Sequence, residues 1–253
     1  MNYYFSGIFS TIISLLIFYH KWFKYGWVGK DRAILYVLAS LPFSAMVGLS
    51  IKKPIRSYLC NVLGISKELS LWPLWFLLIL LFIGAFAEEW LKMLPVLLNK
   101  TLLKEKIHVY FSGLLVGLGF GIGEIWYLAY SFSRTQPEYA SGIKNFFLLL
   151  PGFGGERVLG VLAHMIFTGM VGYGFSISQP IRFFLLAVLL HFVINFPAGL
   201  YQAKRIHPGL ASILVIAIIV LLIYYFSRID RNIMEREDFI KPVPKVILYE
   251  NKS

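Results

Sequence analysis

Along the chain, long apolar runs alternate with short polar stretches. Seven runs stand out, at about residues 3–20, 33–51, 70–98, 108–133, 158–178, 181–203 and 207–226. Each is near the roughly 20 apolar residues that a helix needs to cross a hydrocarbon core. Backbone polar groups in lipid must be satisfied within the chain, so such runs are read as helices. The pattern predicts an all-α, polytopic transmembrane helical bundle of about seven spans. Pro95 is the expected break near the end of the third run. Residues 134–157 read as a loop with a short interfacial piece, and the chain from Ser227 onward as a solvated tail. The first run lacks a basic leader, and its positive charges (Lys21, Lys24, Lys30, Arg32) follow it. It reads as an uncleaved anchor.

Composition agrees: 58% of the 253 residues are hydrophobic and only 15% charged, against about 25% charged in soluble domains. The net charge of +11 lies in short loops and the tail. It fits contact with anionic lipid better than nucleic acid, which is not expected as a partner. The bias of Lys and Arg predicts an N-terminus outside and a C-terminus in the cytoplasm, in a prokaryotic plasma membrane. One basic stretch, Lys52 to Lys67, falls on the wrong side for that orientation. The single cysteine, Cys60, excludes an intrachain disulfide framework and a Cys-rich metal site. Three units are expected: residues 1–69 with two membrane segments and basic loops, 70–203 as a four-span core, and 204–253 as a last span with a basic cytoplasmic tail.

Ionisable side chains at membrane depth are costly and mark functional sites. Here they are Glu88, Glu89 and Lys92 in the third run, Glu124 in the fourth, His164 in the fifth and His191 in the sixth. Asn195 stands one helical turn after His191. They occupy four consecutive runs and avoid the first two and the last. At i, i+4 spacing, Glu88 is expected to pair with Lys92. That leaves Glu89, about 100° round the helix, for another task. Gly113, Gly117, Gly119, Gly121 and Gly123 in the fourth run predict close helix packing.

Glutamates and histidines together, without a serine or cysteine nucleophile, suit the activation of water. A carboxylate takes the proton, one histidine assists, and a second histidine with Asn195 stabilises an oxyanion. Alternatively His164, His191 and a carboxylate, Glu89 first, could hold a zinc ion with an open position. The residues leave open whether a cofactor is required. A Ser-based site lacks its Gly-x-Ser-x-Gly context, and no aspartate is expected in a span. A proton-relay transporter and a non-catalytic scaffold or binding subunit are the rival functional classes.

Four stretches carry a resemblance: AEEWLKMLP from Ala87, GLLVGLGFGIGEIWYL from Gly113, LAHMIFTGMVGYG from Leu162 and LAVLLHFVINF from Leu186. In this order they resemble the PrsW family of intramembrane proteases, part of a wider group with the type II CAAX prenyl endopeptidases. The resemblance implies that Glu88 and Glu89 form the diglutamate motif with Lys92 as its base. Phe120 and Glu124 correspond to the Phe-x-x-x-Glu of PrsW proteins, and His164 and His191 to the two later histidines. Asn195 matches the His-x-x-x-Asn of the CAAX side. Glu124, where CAAX endopeptidases carry histidine, points away from prenylated tails and toward membrane-protein or peptide substrates.

Overall fold

The computed structural model describes residues 2–21, 30–98, 106–137 and 153–235. Among them all regular structure is helical: α1 (Asn2–Lys21), α2 (Lys30–Ser40), α3 (Phe43–Val47), α4 (Lys53–Val62), α5 (Leu74–Leu98), α6 (Lys106–Thr135), α7 (Gly155–Ser176), α8 (Pro180–Gln202) and α9 (Pro208–Glu235). Among the described residues, seven segments are long and apolar enough to cross a membrane. Their outward faces carry apolar side chains such as Leu16, Leu35, Ile181 and Ile213, all more than half exposed. A bilayer-facing surface requires that, and water would not tolerate it.

Several boundaries differ from the sequence reading. The second span is longer than expected, from Ala33 to Val62. The turn Gly48–Lys52 between α3 and α4 is π-helical, so the helical path continues past Ile51. Lys52, Lys53 and Arg56 therefore sit on helix and not in a loop. Pro95 lies inside α5 without ending it. The last helix runs through Ser227 to Glu235, so the first part of the expected tail is helical. Residues 236–253, and most of the expected loop from residue 138 to 152, lie outside the described residues. Asp230 is in the final span, contrary to the expectation of none, and accepts a 2.7 Å hydrogen bond from the Tyr110 hydroxyl. One aspartate so engaged does not make a two-carboxylate dyad.

Helix α6 is the centre of the bundle, with 89% of its apolar window buried. Its glycines explain how it can be enclosed. Gly113, Gly117 and Gly121 face α7: a Cβ at Gly117 would lie 2.6 Å from Met165 Cα, and one at Gly121 would lie 2.7 Å from Val161 Cα. Gly119 and Gly123 face the other way, where a Cβ would strike the carbonyl oxygens of Val37 and Leu41. Two glycine stripes thus bring the α7 backbone and the end of α2 against α6. Small residues at such contacts are the usual means of close helix approach in lipid. The stripe toward α7 fixes where His164 stands.

Candidate active site

Glu88 and Glu89 sit in the second half of α5 and are buried, with Lys92 fully buried one turn on. Glu124 comes from α6, His164 from α7, and His191 and Asn195 from α8. All the charged and histidine side chains singled out in the sequence converge. Their pairing differs from the expected one. Lys92 Nζ donates to Glu89 Oε1 at 2.5 Å, an i, i+3 contact. Glu88 is instead bound by Lys52, which arrives from the second span and meets Glu88 Oε1. Glu124 Oε2 has its own cation, Arg157 Nη1 at 3.3 Å.

Each of the three carboxylates thus has a base. Buried charges persist where they are paired and hydrogen-bonded. The sequence reading supplied one base, Lys92, and paired it with Glu88. It named neither Lys52 nor Arg157 as a partner. The signal for Lys52 was present: the basic Lys52–Lys67 stretch violated the expected charge bias. Lys52 does so because it is turned inward at the π-helical turn.

The hydrogen-bond chain fixes the histidine tautomers. An ammonium group only donates. Lys92 Nζ lies 3.2 Å from His164 Nδ1, so Nδ1 accepts and the His164 proton is on Nε2, directed at Glu124 Oε2 3.3 Å away. His191 Nδ1 lies 2.6 Å from Glu89 Oε1 and donates to it. His191 Nε2 then carries a lone pair, and it faces Glu88 Oε2 at 3.4 Å. Glu88 Oε2 and Glu89 Oε2 are both buried without a hydrogen-bond partner, since the 3.4 Å approach lacks hydrogen-bond geometry.

Aromatic rings hold the group in place. His164 and His191 meet edge-on with centroids 5.2 Å apart. Phe120 packs 4.8 Å from His164, and Phe167 stacks on His191 at 5.3 Å. Lys92 Nζ stands 4.9 Å from the Phe120 centroid, a cation–π contact. Phe120 is therefore a wall of the site. A cavity of about 90 Å³ opens beside it, lined by Glu124, Arg157, His164, His191 and Asn195 among others. At about 30 Å³ per water, it has room for two or three.

The residues also fit a metal ion. Glu88, His164 and His191 each offer a ligand atom, all within 4.8 Å of one another. A carboxylate with two histidines is a known catalytic zinc set, and this trio takes Glu88 where the sequence reading put Glu89. Tetrahedral donors about 2.1 Å from zinc lie roughly 3.4 Å apart. The two lone-pair atoms, Glu88 Oε2 and His191 Nε2, have that separation. Glu89 bound to the other nitrogen of His191 is the carboxylate support common behind a metal-ligating histidine.

A family model described as PrsW family intramembrane metalloprotease matches residues 32–225. No curated protein matches the chain, and no solved structure does.

Proposed function

The chain belongs to the PrsW family of intramembrane metalloproteases, and from that premise we propose that it hydrolyses peptide bonds of membrane-associated proteins with water activated by its glutamates and histidines. The observation that carries this reading is the pair of orphaned carboxylate oxygens, Glu88 Oε2 and Glu89 Oε2, on residues that contact His191, which itself lines a cavity large enough for water. An acceptor buried at such cost without a partner is poised to receive a proton or a ligand.

Glu89 is assigned as the general base. Its Oε1 is occupied by Lys92 and His191, which orient the carboxyl group and leave Oε2 to accept the proton of water. His191 is held in one tautomer by Glu89 and is kept flat against Phe167. Asn195, one turn along α8, faces the same cavity and donates to the developing oxyanion. Glu88, His164 and His191 would hold the metal ion, which when bound supplies Lewis-acid polarisation of the carbonyl and a more acidic water. For His164 to serve through Nε2, its ring would take the other neutral tautomer, with the proton on Nδ1 and Lys92 donating to Glu89 alone. Residues 70–203, with Lys52 added, form the unit that does this work. The assigned location is a multi-pass position in a prokaryotic plasma membrane.

The test is cleavage of a library of single-span membrane peptides in proteoliposomes, read by mass spectrometry. Separate Glu89→Gln, His164→Ala and His191→Ala variants should lose turnover while eluting as folded protein. Activity retained in all three would overturn the mechanism. Metal analysis of the purified protein before and after chelation decides the ion. A folded scaffold that cleaves nothing would be the non-catalytic alternative.

A further inference from the structure

The polar cavity beside His164 occupies one flank of the catalytic cluster. A second cavity, of about 220 Å³, lies among the second span, α5 and α8. Asn195 lines both. Lys52, the partner of Glu88, closes the second cavity at its catalytic end. The faces that carry the cluster also build this space. On α5, Leu77, Leu81 and Gly84 precede Glu88 by 11, 7 and 4 residues. On α8, Asn195, Gly199 and Gln202 follow His191 by 4, 8 and 11. Such spacings put residues on one helix face. At 1.5 Å per residue, the stripe from Leu77 to Glu88 is about 16 Å long.

We propose that this second cavity is the substrate subsite, taking one large apolar side chain of a membrane-embedded polypeptide next to the bond that is cut. The proposal rests on the peptidase reading. Size supports it: a cavity of about 150 Å³ lined by aliphatic groups accepts benzene, so this one accommodates a Leu or Phe side chain. Chemistry selects the polypeptide. Nine of the thirteen lining residues are apolar or glycine, and the other four, Lys52, Arg56, Asn195 and Gln202, are donors. An occupant that offers apolar groups together with a carbonyl acceptor at every residue along its length is a peptide, whereas a lipid carries its acceptors only at the headgroup end. Two glycines keep the space. A Cβ at Gly84 would lie 3.0 Å from Lys52 Cε, and one at Gly199 would lie 2.8 Å from Leu81 Cδ1. Asn195 then stands at both the cavity assigned to water and the one assigned to substrate.

Leu80, on the wall of this cavity, provides the test. Wild type, Leu80→Trp and Leu80→Ala are profiled against single-span peptides that vary one residue beside the cleavage point. Leu80→Trp should lower kcat/KM for Leu and Phe about 10–200-fold relative to Ala, the range that pocket size commands. Leu80→Ala should extend acceptance to Trp. Independently, a benzophenone amino acid at position 80 in a Glu89→Gln background should crosslink to a fluorescent single-span peptide. Crosslinks to lipid alone would overturn the proposal. A wild type that cleaves, with its preference unchanged in both variants, overturns the subsite and leaves the peptidase standing. A wild type that cleaves none of the peptides overturns both.

Discussion

Glu89 and His191 are joined across α5 and α8 by a 2.6 Å contact between Oε1 and Nδ1. It sets the imidazole tautomer, and it leaves Glu89 Oε2 as an acceptor with nothing bound. The two consequences can be separated. In Glu89→Gln the amide oxygen still accepts the His191 proton, so metal content should stay within about twofold of wild type. The base is lost, and kcat should fall by about 10²–10⁴-fold, the usual contribution of general base catalysis. Glu88→Gln should do the reverse in part, lowering metal retention because it removes a proposed ligand. Single-turnover cleavage and metal analysis of both proteins would check this, and equal metal loss in the two would refute the division.

The Lys92–Glu89 pair has both side chains out of solvent. Removing one partner of a buried pair leaves an uncompensated charge and costs about 3–5 kcal/mol. Lys92→Met should therefore lower the thermal midpoint sharply. The double variant Lys92→Met/Glu89→Gln should recover part of that stability and none of the activity. Thermal unfolding in detergent, followed by circular dichroism, distinguishes the two effects.

Lys52 is a different case, since its side chain is 40% exposed while Glu88 is 5%. Partial exposure tempers the energetic effect of its loss. Lys52→Met should change stability little and reduce turnover, because Glu88 loses the contact that fixes Oε1 and aims Oε2 at His191. Lys52→Arg should rescue part of the activity. A KM effect larger than the kcat effect would also fit its place in the second cavity. Loss of folding in Lys52→Met would contradict a positioning role.

A methyl group at Gly117 has no room against α7. Gly117→Ala must push the Met165 backbone away, at the roughly 1–3 kcal/mol typical of overpacking, and it shifts His164 with it. Reduced turnover and a lower thermal midpoint are expected together. Gly155→Ala, where nothing lies within 4 Å of the new Cβ, should be neutral in both measurements.

Much of the site was legible in the sequence because the bilayer penalises charge. Glu88, Glu89, Lys92, Glu124, His164 and His191 stood out as exceptions in apolar runs, and the structure brings all of them together. Partners were less legible. Helical spacing allows Lys92 to meet Glu88 or Glu89 equally well, and the choice is made by Lys52, which takes Glu88 from another helix. No local pattern encodes that. The same holds for Arg157, whose contact with Glu124 depends on how tightly the glycine stripe seats α7 on α6. Pro95 was read as a candidate break, and α5 passes through it. Neighbouring groups in a packed membrane bundle can satisfy the carbonyl that a proline frees.

The order in which the helices appear along the chain has a consequence for synthesis. A nascent chain that has emerged only as far as α6 carries Glu88, Glu89 and Glu124 but neither histidine. The glycine stripe meant for α7 then has no partner, and the proposed water-activating group is incomplete. Only when α8 is in place are His191 and Asn195 added, and only then is the proposed group complete. Dispersing the site over five spans therefore delays its assembly until most of the bundle has been made.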